Sequence, residues 1–166
     1  MKTSKTALLS IALLFVLTSC SKDEDILVEE QHSVINTSEF TIEDKFSVEI
    51  LDEVNLHRAA IGKSELKNCA DSKIKAKEHS IYMASNKEMS HDNFFERSDF
   101  LKTKGAKHVS ENVAFGYKTA KGVVQAWLKS PGHREALEGD FCQSGIVVVK
   151  TDRGVPYITQ IFTRNK

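Results

Sequence analysis

Residues 146–162, IVVVKTDRGVPYITQIF, contain the pattern that decides the fold. Residues 146–149 are apolar and β-branched, Asp152-Arg153-Gly154 is a turn signal, and residues 157–162 are a second strand-forming run. Together these segments predict a β-hairpin. Because the chain before the hairpin has helical periodicity, the hairpin is expected to pack beneath helices. That layering places the protein in the α+β class.

Two long helices are predicted from apolar residues at helical spacing. The first begins at Asp44 and is stopped by Gly62, and the second ends near Asn86. Lysines and glutamates occupy the opposite side of the second helix, which makes it amphipathic. The apolar positions are Phe46, Ile50, Leu51 and Val54 in the first helix, and Ala70, Ile74, Ile81 and Ala84 in the second.

Shorter elements are predicted between these helices and the hairpin. Residues 94–104 predict a short helix, and Gly105 is expected to end it in the left-handed conformation. Thr119 is a cap residue for the next helix, and Ser130-Pro131 is the cap and first-turn pair of another. Residues 109–117 are expected to be irregular or weakly strand-like.

The N-terminal residues predict export. Lys2 and Lys5 precede an apolar run over residues 7–16, which is shorter than the ~20 residues that a transmembrane helix needs. The run matches the apolar region of a signal peptide. Leu17-Thr18-Ser19-Cys20 resembles the lipobox of bacterial lipoproteins, in which the cysteine becomes the acylated first residue of the mature chain. The alternative is a plain signal peptide with a chance cysteine.

This resemblance divides the chain into three parts. Residues 1–19 are expected to be a lipoprotein signal peptide, residues 20–43 an acylated Cys20 with an acidic flexible tether, and residues 44–166 the folded domain. The acidic run after Cys20 resembles the surface-export signal of Bacteroidota lipoproteins. The expected location is therefore the outer membrane or the cell surface, and the expected partner of Cys20 is the lipid bilayer.

The charge balance argues against a nucleic-acid partner. The chain has 23 basic and 23 acidic residues, and loss of Lys2 and Lys5 with the signal peptide leaves a net charge of −2. No basic run appears, whereas nucleic-acid binding draws on clustered positive charge. The length of the folded part suits a single core, and a monomer is expected.

Two cysteines remain once Cys20 is assigned to the anchor. In an oxidising compartment, Cys69 and Cys142 either form a disulfide that closes a long loop or remain free thiols. Both alternatives stay open, because the sequence contains no measure of their Cα separation. No CxxC pair exists, which argues against a cysteine zinc site.

Three polar residues of the folded part are candidates for a functional site. His91 lies in a polar loop, and His133 lies in the first turn of a predicted helix. Glu111 enters an apolar segment, where a carboxylate is costly to bury unless it is paired. Two imidazoles and a carboxylate are suitable ligands for a zinc-like ion with an open position. The alternative is that they hydrogen-bond to one another and hold loops together.

Six segments, in order, resemble the CAP superfamily, which comprises the cysteine-rich secretory, antigen-five and pathogenesis-related-one proteins and is also called SCP-like. The resemblance runs from about Ile50 to Phe162. It implies an α-β-α sandwich with a small antiparallel sheet between helices. The segments are residues 54–58 (VNLHR), 79–84 (HSIYMA), 89–92 (MSHD), 111–117 (ENVAFGY), 127–134 (WLKSPGHR) and 157–162 (YITQIF).

The resemblance also implies a site. Eukaryotic members of the superfamily have a cleft with two histidines and two glutamates, and some bind zinc or other divalent ions there. His91 and Glu111 match two of these positions, whereas the second glutamate falls at Ser130 and the second histidine at Tyr157. His133 follows the bacterial pattern and is expected to fill the vacant corner. The resemblance thus implies a site for Zn²⁺ or another divalent cation at His91, Glu111 and His133.

Three functions are compatible with such a site. The first is a surface-tethered binding module for an envelope component, a host molecule or a lipid, since fold does not dictate function. The second is a metal-assisted, peptidase-like hydrolase in which His91, His133 and Glu111 hold the ion or Glu111 acts as general base. The third is capture of a divalent ion alone. No Ser or Cys nucleophile stands beside these histidines in an activating motif, which favours the binding module.

Overall fold

The computed structural model of the protein describes residues 39–165. The predicted signal peptide, Cys20 and tether residues 21–38 lie outside this range. No helix within it is both long and apolar enough to cross a bilayer. In chain order the elements are β1 (Phe40–Ile42), α1 (Asp44–Ala60), β2 (Lys67–Asn68), α2 (Ala70–Asn86), α3 (Phe94–Thr103), β3 (His108–Phe115), α4 (Ala120–Lys129), α5 (Pro131–Glu138), β4 (Gln143–Thr151) and β5 (Pro156–Arg164).

The strands form one sheet in the order β1-β4-β5-β3, with the short β2 paired in parallel to β4. The predicted hairpin is confirmed as the antiparallel pair β4 and β5, and Gly154 in its turn has a φ of 74°. β3 pairs with β5 and forms one edge of the sheet. The site described below lies along this edge.

Helices cover both faces of the sheet. Ile146 and Val148 of β4 pack in a core with α1, α4 and α5, whereas Val147 and Val149 pack in a second core with α2 and α3. Successive strand residues point to opposite faces, so a strand that is covered on both sides needs an uninterrupted apolar run. The expected α+β class and the α-β-α layering are both confirmed.

The buried face of α2 differs from the predicted stripe. Ala70 and Ile74 are exposed, and the buried face also carries small and polar side chains. The cause is a close approach between α2 and β4, because a Cβ placed on Gly145 would overlap the backbone of α2 at Ser72 and Lys73. Only small side chains fit at such a contact. The buried residues of α2 are Ser72, Ala76, His79, Ser80, Ile81, Met83 and Ala84.

Strands form in two segments with little or no strand signal in the sequence. For residues 109–117 the structure has the strand alternative over most of the range, because β3 pairs with β5 over eight residues. Its polar centre hid the strand pattern. The folded part also begins earlier than the predicted boundary at Asp44, because residues 40–42 pair with β4. A three-residue strand is too short for its alternation to be recognised in a sequence.

Cys69 and Cys142 are free thiols. The register of β2 on β4 pairs Lys67 with Gln143, so Cys69 and Cys142 are offset by three positions along the strands. At the rise of parallel strands this offset is ~10 Å. A disulfide requires Cα atoms within about 7 Å. The alternative of two free thiols is therefore the one that the structure has.

Candidate functional site

His91 lies in the tight connection between α2 and α3. The connection starts at Lys87 and ends at Asn93, which have φ values of 55° and 58°. The left-handed conformation of Lys87 ends α2, and that of Asn93 redirects the chain into α3. These two reversals bring the loop that carries His91 back against the edge strand β3.

Hydrogen bonds fix the backbone on both sides of His91. The Nε2–H of His79 donates to the carbonyl of Ser90 at 2.7 Å. Nη1 of Arg97 donates to the carbonyl of Asp92 at 2.6 Å. His79 and Arg97 are both buried, so these bonds are shielded from competition with water. The position of the His91 backbone is thus determined by side chains from two helices.

Tyr82 adds a third restraint to the same loop. Its hydroxyl donates to Oδ2 of Asp92 at 3.0 Å, and this hydrogen bond raises the pKa of Tyr82. The ring of Tyr82 stacks on that of His79, with centroids 5.8 Å apart. His79 thus satisfies a backbone group of the loop that carries His91. Burial, its largest perturbation, lowers the pKa of His79.

Glu111 is the centre of the site. It lies in the middle of β3, and its side chain is only 1% exposed. Nδ1 of His91 donates to Oε1 at 2.9 Å. Arg97 donates from Nε to Oε2 and from Nη2 to Oε1, both at 2.8 Å. This bidentate pairing is the strongest geometry that an arginine and a carboxylate can adopt.

The environment keeps Glu111 ionised. Burial raises the pKa of its carboxyl group. This rise is outweighed by lowering contributions from the hydrogen bonds of His91 and Arg97, the charge of Arg97 and the interaction with His79. The net shift is downward. Because both oxygens accept hydrogen bonds and one of the donors is a guanidinium, the carboxylate is not free to act as a base.

His133 reaches the site from the other side of β3. Asn112 donates from Nδ2 to the backbone carbonyl of His133 at 3.0 Å, which ties the edge strand to the first turn of α5. Burial first, and the nearby His91 second, lower the pKa of His133. The hydrogen bond from Asn112 therefore places the first turn of α5 against the edge strand.

The two histidines line separate hollows, and residues of the edge strand β3 contribute to both. The first has a volume of about 190 Å³ and is lined by His91 and Glu111 with neighbouring residues of α3 and β3. The second, of about 310 Å³, contains His133 with a largely apolar wall. The main residues of that wall are Met89, Phe115, Tyr117 and Trp127. We call the two hollows together the β3 cleft.

The expected metal site is not assembled. Among residues 39–165, no group of three or more His, Cys, Asp or Glu side chains is placed to hold a metal ion. Both oxygens of Glu111 are engaged by Arg97, which leaves only the imidazoles of His91 and His133 as donors. A zinc site normally needs at least three protein ligands. The donor set does not fit such an ion, and the alternative that these residues bond to one another holds for His91 and Glu111.

Ser130 and Tyr157 stand where the eukaryotic tetrad has its second glutamate and its second histidine, and neither completes the site. Tyr157 is 4% exposed and packs in the second core, with its ring 5.7 Å from that of Phe115. Ser130 is the cap residue of α5 and lines the apolar hollow beside His133. Neither side chain contacts Glu111 among the hydrogen bonds of the described residues.

Arg97 and His79 belong to the site, although no sequence pattern assigns them to it. The one available signal was the expected burial of Glu111, which requires a cationic partner. Nothing in the spacing identifies that partner, because Arg97 lies on α3, fourteen positions before Glu111. The partner becomes apparent only when α3 is placed against β3.

A five-stranded sheet between two helical layers, with a polar cleft at its edge, defines an α-β-α sandwich protein. The chain belongs to the cysteine-rich secretory protein family, the CAP family, whose model matches residues 51–162. No curated protein sequence matches the chain.

Solved structures of bacterial proteins are similar to this chain. An outer surface protein from Borrelia burgdorferi has 26% identity and a TM-score of 0.67, with 75% of this chain and 97% of that one covered. An extracellular protein with an SCP domain from Bacillus anthracis has 28% identity and a TM-score of 0.63, with 74% of this chain and 41% of that one covered.

A cysteine-rich secretory protein from Staphylococcus aureus shares the fold at 22% identity and a TM-score of 0.61. The match covers 74% of this chain and 39% of that one. The chain thus spans nearly all of the Borrelia protein but less than half of the other two. An extracellular or outer-surface setting is common to the first two neighbours.

Proposed function

We propose that this CAP-domain protein is a lipid-anchored binding module, displayed at the cell surface, that recognises an envelope, host or lipid component through the β3 cleft. Two observations support the setting. The sequence Leu17-Thr18-Ser19-Cys20 has the form of a lipobox. The Borrelia burgdorferi protein, with a similar fold over almost its entire length, is an outer surface protein.

The observation that carries the binding role is the state of Glu111 and His91. Glu111 is buried and fully hydrogen-bonded, whereas the side chain of His91 is 51% exposed. Groups held in this way form a rigid polar contact for a ligand, because little side-chain freedom remains to be lost on binding. The largely apolar hollow that His133 lines adds a surface that can bury part of a ligand.

A hydrolase is not proposed, because its chemical requirements are not met. Water activation needs a metal or a free base, and Glu111 is paired with Arg97. Ser90 is the hydroxyl adjacent to His91 in sequence, but its Oγ accepts from the backbone of Asp92 at 3.4 Å. Its carbonyl is held by His79. Within residues 39–165, no activated nucleophile faces the cleft.

The anchor is tested by the fate of Cys20. Cells expressing the chain are labelled with an alkyne-bearing fatty acid, and the mature N-terminus is identified by mass spectrometry. An acylated Cys20 at the N-terminus, protease sensitivity on intact cells, and release of the Cys20→Ser variant from membranes are expected. An unmodified N-terminus elsewhere would reject the anchor without affecting the cleft.

The cleft is tested by nuclear magnetic resonance mapping of the full chain in detergent. Muropeptides, phospholipid vesicles and host plasma proteins are titrated separately. The proposal expects one of these probes to shift the signals of His91, Val109 and Ser110. It also expects binding to weaken at least about tenfold in His91→Ala. Lys121→Ala, at an exposed site on α4, is the control and should bind normally. If the His91→Ala variant binds every active probe as well as the wild type does, the cleft is not the binding site.

A further inference from the structure

We infer that Arg97 is the positioning residue of the β3 cleft: acting through Glu111, it holds His91 in the tautomer with hydrogen on Nδ1 and so presents Nε2 to the ligand. The inference deepens the proposed function and rests on it for the role of the cleft. The tautomer itself follows from geometry alone and can be measured without any ligand.

The first step concerns the bond between His91 and Glu111. An ionised carboxylate has no hydrogen to donate, so Nδ1 of His91 must carry the hydrogen in their 2.9 Å contact. In the neutral imidazole the other nitrogen, Nε2, is then a hydrogen-bond acceptor. Because Nδ1 faces the buried carboxylate and half of the side chain is exposed, Nε2 is on the open side of the ring.

The second step is that this arrangement depends on Arg97. The Glu111 side chain is 1% exposed, and burial favours the neutral carboxylic acid. Arg97 opposes this with two hydrogen bonds and a full charge. Without the guanidinium, we expect Glu111 to take up a proton and to donate it in a hydrogen bond to Nδ1. The ring hydrogen of a neutral His91 then has to be on Nε2, and the cleft presents a donor in place of an acceptor.

The third step concerns what the planar guanidinium adds to the charge. Arg97 bonds both oxygens of Glu111 and also the carbonyl of Asp92, next to His91. One planar group thereby sets the position of the carboxylate and of the loop that carries the imidazole. A lysine retains the charge, but it lacks the planar fork that makes these three bonds at once.

The arrangement defines the chemistry of the ligand at this point. A neutral His91 with a free Nε2 accepts a hydrogen bond, so the group that binds there carries an O–H or N–H donor. The ligand group in contact with His91 is therefore a donor such as a hydroxyl or an amide. A carboxylate or phosphate oxygen does not satisfy a neutral Nε2 acceptor.

The tautomer is tested by the ring ¹⁵N chemical shifts of the full chain, labelled at histidine and measured in detergent at mildly alkaline pH. His91→Gln assigns the signals. We expect the wild type to show a protonated Nδ1 and an unprotonated Nε2. In Arg97→Met the two signals should exchange character. Arg97→Lys should retain the wild-type tautomer, because a cation remains. Arg153→Met, in the exposed hairpin turn, is the control.

A wild-type His91 with hydrogen on Nε2 overturns the inference. So does an Arg97→Met variant that is folded and keeps the wild-type pattern. If Arg97→Met does not fold, the wild-type tautomer still tests the inference, and loss of that tautomer in a folded Arg97→Lys variant would contradict the role given to the cation. Failure of every binding probe together with the expected tautomer would reject the proposed function and leave the role of Arg97 intact.

Discussion

The indole Nε1–H of Trp127 donates to the backbone carbonyl of Val113 at 3.0 Å. Trp127 lies on α4 and Val113 on the edge strand β3, so the bond satisfies a backbone group of that strand from outside the sheet. It lies in the interior, since the two residues are 2% and 3% exposed. This contact joins the helical layer to the strand that carries Glu111.

Loss of this bond is predicted to destabilise the edge strand. Trp127→Phe leaves the Val113 carbonyl buried without a partner, which costs ~1–3 kcal/mol, and removes core volume in addition. Urea unfolding followed by circular dichroism should show a loss of at least about 2 kcal/mol. Hydrogen exchange of the β3 amides should become faster.

Phe162→Leu is the control for the loss of volume. It replaces a fully buried aromatic side chain of the same core with a smaller one. No side-chain hydrogen bond is lost, because phenylalanine makes none. Selective loss of exchange protection in β3 is expected only for Trp127→Phe. Equal acceleration in both variants would show that packing, and not the hydrogen bond, holds the strand.

Arg58 is predicted to secure the C-terminal end of α5. Its guanidinium donates to four backbone carbonyls, at distances of 2.6–3.1 Å, and the residue is 2% exposed. Arg58→Met should lower the free energy of unfolding by about 3 kcal/mol, because the buried Leu137 carbonyl loses its partner and three further hydrogen bonds at partly buried sites are lost with it. The carbonyls belong to Ser64, Leu137, Gly139 and Phe141.

Arg134→Met is the matched control for Arg58→Met. Arg134 makes one exposed hydrogen bond, to the carbonyl of Leu128, and its loss should change stability by no more than about 1 kcal/mol. Chemical denaturation of both variants, under the same conditions, is the measurement. Similar stability of the two variants would mean that water replaces the bonds of Arg58.

The stability of the fold is predicted to fall in acid because of Glu111. Its pKa in the folded protein lies below the unfolded value of 4.5, so the folded state holds its proton less tightly. The stabilisation is fully present above pH 4.5 and is lost as the pH falls through the lowered pKa. Unfolding free energies measured from neutral to acidic pH should therefore decline in this window.

Glu111→Gln tests the assignment of that decline. The variant leaves the Arg97 charge buried without a carboxylate, so at neutral pH it should be less stable by on the order of 3 kcal/mol. The difference from the wild type should shrink below pH 4.5, where the wild type also loses the charge. A constant difference at every pH would assign the acid sensitivity to other groups.

The hairpin and the helices could be predicted from the sequence because their signals are local. β4 is an apolar, β-branched run, and α4 is preceded by its cap residue Thr119, whose hydroxyl accepts from the backbone of Gly122 at 3.2 Å. The edge strand β3 was expected only as an irregular or weakly strand-like segment. Ser110, Glu111 and Asn112 interrupt its apolar pattern, and their burial depends on partners from other parts of the chain.

The same distinction between local signals and distant partners applies to the site. Motif resemblance located His91, Glu111 and His133, and the contact between His91 and Glu111 confirms that two of them meet. What they do there was not predictable, because Arg97 decides it. An arginine that contacts Glu111 turns a candidate ligand and base into an orienting group for the imidazole.

Zinc is predicted to bind weakly, without the signature of a three-ligand site. Two imidazoles remain available once Glu111 is paired with Arg97. Calorimetric titration of Zn²⁺ into the full chain should show no tight one-site isotherm. Any weak binding should be lost in His91→Ala, whereas Glu111→Gln should not abolish it. A tight site lost in His91→Ala, Glu111→Gln and His133→Ala alike would restore the metal-assisted hydrolase as a candidate.

The thiols are predicted to stay unpaired even in an oxidising medium. Cys142 is exposed and Cys69 is partly buried, and their strand positions differ by three residues, or ~10 Å. A thiol reagent should modify Cys142 first and Cys69 more slowly, because reaction requires access to the sulfur. Peptide mapping after air oxidation should find no fragment that joins the two residues, and a reductant should not change the melting temperature. A joined fragment in the folded protein would show that β2 can leave its register on β4, since the native pairing holds the two Cα atoms beyond disulfide reach.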